Sequence, residues 1–250
     1  MIALGHDKFI LTPISSILAE TVTACNGIGF GMESFPLRSP ILQATTLRMT
    51  GALEQKLKCI CWEIASFDYT FRYNHILREP LGECSSYDDK KKVFKGICLC
   101  LKKYGIKYEF DDTSKDMVID KSVNGYETII KDSAFERWFE REYKDYMINK
   151  LPISRTSFVN HSKDGTPEFL NKTLKDYYGE VAYRQRNRYA HNLMSYQQNL
   201  PTLSEFSSPE YEYVNHFKIF SILILIDEIF MTLFSRFFEL KKNHSYEGRL

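Results

Sequence analysis

The sequence predicts a mainly all-α protein, a helical bundle with a polar, helical insertion that can contain a small strand pair. Two observations lead to this fold class. Apolar residues recur at helical spacing over long stretches that lack proline. Glycine, proline and capping residues cluster between these stretches, where they mark helix ends.

The composition fits a single domain that spans residues 1–250. Of the 250 residues, 44% are hydrophobic and 14% are aromatic, which excludes a disordered chain and suffices for one sizeable core or two small ones. The 33 basic and 32 acidic residues leave a net charge of +1. Contact with a polyanion therefore requires a local basic patch.

The six cysteines are scattered, and neither Cys-x-Cys pair has the spacing of a zinc site. We expect reduced, buried thiols, with no metal and no cofactor. The chain shows neither a secretory signal at its start nor an uninterrupted apolar span, so the sequence predicts a cytoplasmic protein without a membrane segment.

Residues 1–40 are predicted to form an N-terminal arm with one short helix. They contain three prolines and the cluster Gly27-Ile28-Gly29-Phe30-Gly31. No strand precedes this cluster and no Gly-Lys-Ser/Thr closes it, so we interpret it as a turn and not as a phosphate loop.

The first core segment, 41–79, carries a long helix predicted over 41–77. Its apolar residues approximate a helical stripe. Glu54 and Lys58 lie four residues apart on this helix, where opposite charges attract.

Residues 80–165 are more polar and are predicted to be an insertion. Here we expect a helix over 87–104, a strand pair at 106–110 and 117–119, and a charged helix over 127–148. The lysines at 90–92 are interpreted as a solvated helix start. The aromatic residues of the charged helix are expected to pack on the bundle.

The second core segment, 166–242, is predicted to contain three helices. Thr166 and Pro167 indicate the start of a short helix that Gly179 ends, and a second helix covers about 181–194. The last helix covers about 210–242 and is apolar at most positions. Because it carries adjacent acids, we interpret it as the centre of a bundle or a dimer interface and not as a membrane span.

The stretch Arg186-Asn187-Arg188-Tyr189-Ala190-His191-Asn192 is the candidate site. On a helix, Asn187 and His191 share one face. Arginines can hold a phosphate while an imidazole moves protons near neutral pH. This combination points to cleavage of a phosphodiester in RNA.

The motif Arg-polar-x-x-x-His resembles the signature of HEPN-superfamily ribonucleases, and Arg186, Asn187 and His191 fill its positions. The helix order over 41–77 and 166–240 is also similar. In this family an acidic residue of the first long helix can face the motif, which makes Glu54 a supporting candidate. The resemblance implies a HEPN-like bundle, a homodimer with two motifs lining one cleft, and a toxin or antiviral-defence effector with an antitoxin or activating partner.

The predicted function is a metal-independent endoribonuclease in which the 2′-hydroxyl of RNA attacks the adjacent phosphate. His191 is the candidate general acid and base, Arg186 the phosphate clamp and Asn187 an orienting group. On an ideal helix Arg186 and His191 lie about 140° apart. Arg184 and Arg188, which share the face of His191, therefore remain geometric candidates.

Three alternatives stay open at this point. The protein could be a noncatalytic HEPN-like module that binds RNA or docks a protein. It could be a helical interaction protein of another class, in which the aromatic helix of the insertion and the apolar last helix are the functional surfaces. Finally, the motif helix could be purely structural, with its arginines in surface salt bridges and its histidine in the core.

Overall fold

The computed structural model describes residues 6–29, 31–78, 82–161, 165–191 and 214–247, with side chains described throughout these ranges except at 75, 76, 191 and 244–247. Over the described ranges the chain is mainly all-α, as predicted, with one two-stranded antiparallel sheet. The last helix lies at the centre, and helices from the N-terminal part and from the middle of the chain pack around it.

In residues 1–40 the sequence predicts an arm with one short helix, but the described part of this segment contains two helices, a short 3-10 turn at Met32–Ser34 and the start of a third helix at Phe35. Helix α1 spans His6–Leu11 and helix α2 spans Ser15–Asn26. Their apolar side chains recur every three or four residues and lie in the core: Ile10, Ile14, Leu18, Val22 and Cys25. Burial of this stripe makes the segment part of the bundle.

The glycine cluster begins as a turn after α2, as predicted. Gly29 has a φ of 86°, in the left-handed region that glycine adopts without a steric penalty. Its carbonyl accepts a hydrogen bond from the Trp138 indole at 2.9 Å. The turn therefore ties the N-terminal helices to a distant segment of the chain.

Helix α3 spans Phe35–Phe67 and α4 spans Tyr69–Arg72, continuing as a π-helical turn over Tyr73–Arg78. The single helix predicted over 41–77 therefore begins earlier, at Phe35, and is interrupted at Asp68, although the helical stretch ends close to the predicted position. Asp68 causes the break: its side chain accepts hydrogen bonds from the backbone N–H groups of Thr70 and Phe71, at 2.8 and 3.2 Å, and so caps α4.

Helix α5 spans Tyr87–Lys103, which confirms the helix predicted over 87–104. Helix α6 spans Asp112–Asp120, continues as a π-helical turn and joins α7 at Tyr126–Ile130. The strand pair predicted at 106–110 and 117–119 is wrong. Asp111 caps α6 by accepting from the Ser114 N–H at 2.8 Å, which makes the second candidate strand helical.

The single charged helix predicted over 127–148 is divided into three. After α7 the chain turns, α8 spans Ala134–Trp138 and α9 spans Glu140–Ile148. Ser133 caps α8 through a hydrogen bond from the Glu136 N–H at 3.1 Å. The predicted aromatic packing is confirmed, because the rings of Phe135 and Tyr143 both contact Phe217.

The two strands of the structure lie later than predicted. Strand β1 spans Phe158–His161 and β2 spans Pro167–Leu170, with Phe158 paired to Leu170. The proposed helix start at Thr166 and Pro167 is therefore wrong. The next helix instead begins after Asn171, whose side chain accepts from the Leu174 N–H at 3.0 Å.

Helix α10 spans Lys172–Tyr177, continues as a π-helical turn over Tyr178–Tyr183 and joins α11, Arg184–His191. The sequence predicts that Gly179 ends the helix, and this prediction is wrong. Gly179 lies inside the π-helical turn, and the helix continues beyond it. The buried side chains of Leu174, Tyr178 and Ala182 line one face through this point. Packing along this face explains why the helix continues.

Helix α12 spans His216–Glu247 and is the central helix of the bundle. Side chains from α1, α3, α5 and the π-helical turn after α6 pack against it. Its apolar surface is buried within the chain, so this helix is a core element and not a dimer interface. No helix among the described residues is long and apolar enough to cross a membrane.

Residues 80–165 contribute to the same core as the rest of the chain. Val93, Phe94, Ile97 and Leu101 of α5 are fully buried, as is Phe135 of α8. The region predicted as an insertion is thus continuous with the core.

A buried ion pair joins α3 to α12. Lys56 donates to both carboxylate oxygens of Asp227, at 2.6 and 2.9 Å, and both side chains are almost fully buried. The second Asp227 oxygen also accepts from the backbone N–H of Ile14 at 2.8 Å. Three elements therefore meet at one carboxylate.

We predict that Asp227→Ala lowers the free energy of unfolding by about 3–5 kcal/mol, because it leaves the Lys56 ammonium buried without its partner. Urea denaturation measures the loss. The double variant Lys56→Met/Asp227→Leu removes both charges and should regain most of it. A single variant as stable as wild type would contradict the prediction.

Two helical glycines are predicted to respond oppositely to the same substitution. A Cβ at Gly96 of α5 would lie 2.5 Å from the Phe71 ring of α4, whereas a Cβ at Gly51 of α3 would meet nothing within 4 Å. Gly51→Ala should stabilise the protein by about 0.5–1 kcal/mol through helix propensity. Gly96→Ala should destabilise it by about 1 kcal/mol or more, because overpacking exceeds that gain. Thermal unfolding of both variants tests the difference in sign.

Candidate functional site

The motif lies on α11, which packs against the middle of α3. The π-helical turn immediately before α11 adds residues to the helix without breaking it, which rotates the motif relative to α10. Arg186 and Asn187 lie in the first turn of α11, and His191 is its last residue. The imidazole of His191 lies outside the described side chains.

Glu54, Arg186 and Asn187 meet in the structure. One terminal nitrogen of Arg186, Nη2, lies 3.0 Å from the Glu54 carboxylate, and the other, Nη1, donates to the Asn187 amide oxygen at 3.0 Å. The side chains of Arg186 and Glu54 are 24% and 12% exposed. The guanidinium is therefore held in a fixed orientation but remains partly open to solvent.

The contact between Arg186 and Asn187 compensates for the angle of about 140° that separates positions 186 and 191 around an ideal helix. The long Arg186 side chain bends toward Asn187 and places its guanidinium beside that amide. Position 191 is one helical turn beyond Asn187 on the same face of α11. The Arg186 guanidinium can therefore contact a ligand on this face, although the Arg186 side chain leaves the helix axis in a different direction from that of position 191.

Arg184 and Arg188, the geometric candidates, differ in their surroundings. Arg184 is exposed, whereas Arg188 is half-buried. Of the three arginines of α11, Arg186 is the one with a described ion pair to Glu54. The structure thus brings together Arg186, Asn187 and Glu54.

Lys90 of α5 lies next to this group and is only 1% exposed. Its ammonium donates to the carbonyls of Cys84 and Ser85, at 2.6 and 2.9 Å, and lies 5.0 Å above the Tyr178 ring. Burial, with a smaller contribution from the positive charge of Arg186, lowers the pKa of Lys90 to about 8, although the negative charge of Glu54 opposes this shift.

The loop before α5 is shaped around Lys90. Cys84 has a φ of 60°, in the left-handed region that a side chain disfavours. Its carbonyl faces the ammonium, and the next carbonyl, of Ser85, also accepts from the Tyr178 hydroxyl at 2.8 Å. Burial raises the pKa of Tyr178. The phenol therefore acts as a donor that links this loop to the π-helical turn before the motif.

The C-terminal end of α11 is held by contacts of Tyr189 with His216 and of His216 with Glu142. The Tyr189 hydroxyl is hydrogen-bonded to Nε2 of His216, and Nδ1 of His216 lies 2.9 Å from the Glu142 carboxylate. The two rings are nearly parallel, with centroids 6.0 Å apart. Burial raises the pKa of Tyr189 to about 12. Tyr189 therefore fixes the turn of α11 that carries position 191.

Sequence reasoning did not identify Lys90 or His216 as neighbours of the motif. The lysines at 90–92 were interpreted as solvated, yet Lys90 shares a helix face with the buried residues Tyr87, Phe94 and Ile97. That spacing of three and four residues is the signal that could have found it. No comparable local signal marks His216, which reaches the motif helix only through the tertiary fold.

The cysteines contribute no ligand group here. Cys59 is half-buried and the other five cysteines are buried, as the sequence predicts for free thiols. Among the described residues, no three His, Cys, Asp or Glu side chains are grouped so that they could hold a metal ion. The chemistry that can be assigned to the described site is that of a carboxylate, an amide and two cations.

The chain matches no protein-family model, no curated protein and no solved structure.

We predict that Lys90 makes stability depend on pH in the alkaline range. Its pKa is lowered in the folded state, so between about pH 8 and the unfolded value near 10.5 the unfolded chain binds more protons and stability rises with pH. Relative to Lys90→Met, wild type should gain about 1–2 kcal/mol between about pH 7 and about pH 9.5.

Urea unfolding at a series of pH values measures this difference. Lys92→Met makes the same change at an exposed position of α5 and is the matched control, with a stability curve parallel to wild type. If the Lys90→Met curve also ran parallel to wild type, the buried ammonium would not be the titrating group.

Proposed function

We propose that this protein is a metal-independent endoribonuclease that cleaves RNA by attack of the 2′-hydroxyl on the adjacent phosphate. The observation that carries the proposal is the Glu54–Arg186–Asn187 contact, one helical turn from His191. It supplies a fixed, partly exposed guanidinium beside the helix face that bears a histidine.

The orientation of Arg186 is suited to holding a phosphate. A guanidinium has five N–H donors, and the described contacts with Glu54 and Asn187 use one donor on each terminal nitrogen. The remaining donors can bind non-bridging phosphate oxygens in the planar geometry that arginine favours. Glu54 holds the guanidinium in place, so little side-chain entropy is lost when the phosphate binds.

The proposed reaction has one chemical step. The 2′-oxygen forms a bond to phosphorus while the bond from phosphorus to the 5′-oxygen breaks, which leaves a 2′,3′-cyclic phosphate and a 5′-hydroxyl. His191 accepts the 2′-hydroxyl proton and then supplies a proton to the leaving 5′-oxygen, so that one proton in all moves from the 2′-oxygen to the 5′-oxygen. Arg186 stabilises the charge on the phosphate. Asn187 orients the guanidinium. DNA, which lacks the 2′-hydroxyl, is not cleaved.

The biological setting belongs to the same proposal. The resemblance of the motif to HEPN-superfamily ribonucleases supports a toxin or antiviral-defence effector, acting in the cytoplasm and restrained or activated by a partner protein. We also propose a homodimer in which two copies of α11 line one cleft. Since α12 is buried within the chain, the interface must use other surfaces.

A second candidate function is a HEPN-like module that binds RNA or a protein without cleaving RNA. Two observations favour it: Glu54 already pairs with the Arg186 guanidinium, and Lys90 lies too deep to contact a ligand directly. In this case the site holds a phosphate but does not transfer protons.

The test is cleavage of total cellular RNA by the purified protein in EDTA, with the fragment ends analysed for cyclic phosphate. We expect wild type to cleave, and Arg186→Ala and His191→Ala each to lower the rate by about 10²–10⁴-fold. Arg141→Ala, which removes an exposed arginine of α9, is the matched control and should cleave like wild type. Thermal unfolding confirms that each variant is folded.

Three outcomes would change the assignment. Loss of cleavage in Arg184→Ala but not in Arg186→Ala would move the clamp to Arg184. Folded wild type that binds RNA but cleaves none would favour the binding module. Cleavage that EDTA abolishes would overturn the metal-independent mechanism.

A further inference from the structure

Two cysteine side chains from separate segments of the chain meet beside the candidate site. Cys61 lies near the C-terminal end of α3, and Cys84 lies in the loop before α5. Their thiols are close enough to share a hydrogen bond, and both are buried in the core. An ion pair between Lys58, one helical turn before Cys61, and Glu83 joins the same two segments at the surface. Together these contacts hold the loop against one turn of α3.

The two sulfurs differ in their tendency to ionise. The hydrogen bond from Cys61 lowers the pKa of the Cys84 thiol, and the Lys90 ammonium adds a smaller contribution, although burial opposes this shift. The same hydrogen bond, together with burial, raises the pKa of Cys61. Burial also raises the pKa of the four other cysteines, which are Cys25, Cys59, Cys98 and Cys100. Cys84 is therefore the nucleophilic sulfur, and Cys61 is the thiol beside it.

The backbone at Cys84 is also unusual. Its φ of 60° lies in the left-handed region, which a residue with a side chain seldom adopts. Its carbonyl accepts a hydrogen bond from Lys90 at 2.6 Å. Residues held in disfavoured conformations occur often at functional positions, where the surrounding contacts keep them in place. In this conformation the Cys84 sulfur meets Cys61 while the Cys84 carbonyl meets Lys90.

A small oxidant can reach Cys84 by local opening of the loop. Cys84 itself is only 1% exposed, but the two residues before it, Gly82 and Glu83, are exposed. The contact of Glu83 with Lys58 lies at the surface, where an ion pair contributes little stability. Exposed loop segments open far more often than a whole protein unfolds. We therefore expect oxidation of Cys84 to be slow but specific.

We propose that Cys61 and Cys84 are a redox-active pair that hydrogen peroxide converts to a disulfide. The Cys84 sulfur attacks one peroxide oxygen and becomes a sulfenic acid, while the O–O bond breaks and the departing hydroxide takes up the proton that Cys84 released. The Cys61 sulfur then attacks the Cys84 sulfur, and the sulfenic hydroxyl leaves as water with the Cys61 proton. Altogether two thiols are oxidised, and one peroxide is reduced to two waters.

The disulfide changes the surroundings of the candidate site. Bond formation draws Cys84 toward α3, whereas the Cys84 carbonyl must keep its place to accept from Lys90. The charge of Lys90 interacts with both Glu54 and Arg186, so a displaced ammonium alters the setting of the guanidinium. We expect the disulfide form to be the less active one. This consequence rests on the proposed ribonuclease function, whereas formation of the disulfide does not.

The first test treats the full chain with hydrogen peroxide, blocks the remaining thiols with N-ethylmaleimide in denaturant and measures the mass. Wild type should lose two of its six thiols, and dithiothreitol should restore them. Cys61→Ser and Cys84→Ser should form no disulfide. Cys59→Ser, which removes the neighbouring thiol of α3, is the matched control and should still form it. Fragmentation of the linked peptides from wild type identifies the two sulfurs even if a variant does not fold.

The second test measures cleavage of total cellular RNA by the two redox forms. The disulfide form of wild type should cleave about 2- to 30-fold more slowly than the reduced form, and dithiothreitol should restore the rate. Cys84→Ser keeps the carbonyl that Lys90 binds and should cleave at one rate with or without peroxide treatment.

The outcomes separate the redox pair from the ribonuclease function. A wild type that retains all six thiols would overturn the pair, as would a link from Cys84 to Cys59 in place of Cys61. A disulfide that leaves the cleavage rate unchanged would overturn the coupling to the candidate site. By contrast, a disulfide in a protein that cleaves RNA in neither redox state would overturn the ribonuclease function and leave the redox pair in place.

Discussion

The buried contact between Lys56 and Asp227 constrains the rest of the structure. Helix α12 can lie at the centre only if its two adjacent acids are neutralised, since an unpaired carboxylate in a dry core is strongly unfavourable. Asp227 is neutralised by Lys56 and the Ile14 N–H, and Glu228 by Lys121 at 2.9 Å. These partners come from three separate segments, so satisfying one pair of acids positions much of the bundle.

The same contact determines how α3 presents the candidate site. Lys56 and Glu54 are two residues apart, so on an ideal helix their side chains point about 160° apart. With Lys56 directed at α12, Glu54 must face the opposite side, where α11 packs and Arg186 meets it. The rotation of α3 is therefore set in the core, and the orientation of Arg186 follows from it.

The electrostatics of the site also depend on burial. Arg186 and Lys90 place two positive charges near Glu54, one of them almost inaccessible to solvent. The two carbonyls that accept from Lys90 compensate its desolvation and hold the loop before α5 against the Tyr178 phenol. A phosphate at Arg186 would complete this arrangement, because it would add negative charge where cations are in excess.

Much of the fold class and part of the site could be predicted from the sequence. The helical class, the span of α5, the burial of α12 and the shared face of Asn187 and position 191 all follow from residue spacing within one element. Glu54 was singled out as a supporting residue by resemblance to a family pattern. Apart from Glu54, these properties depend on residues near one another in the chain.

The tertiary structure alone decided the remaining features. The contact between Glu54 and Arg186 joins residues 132 positions apart, and the Lys90 ammonium is buried because α5 packs against the rest of the bundle. The breaks at Asp68 and Ser133 arise where a single capping side chain outweighs a helical pattern, and the strands at 158–161 and 167–170 form because they pair with each other. Local spacing determines which face of a helix is apolar, but only packing between distant elements determines which polar side chains meet.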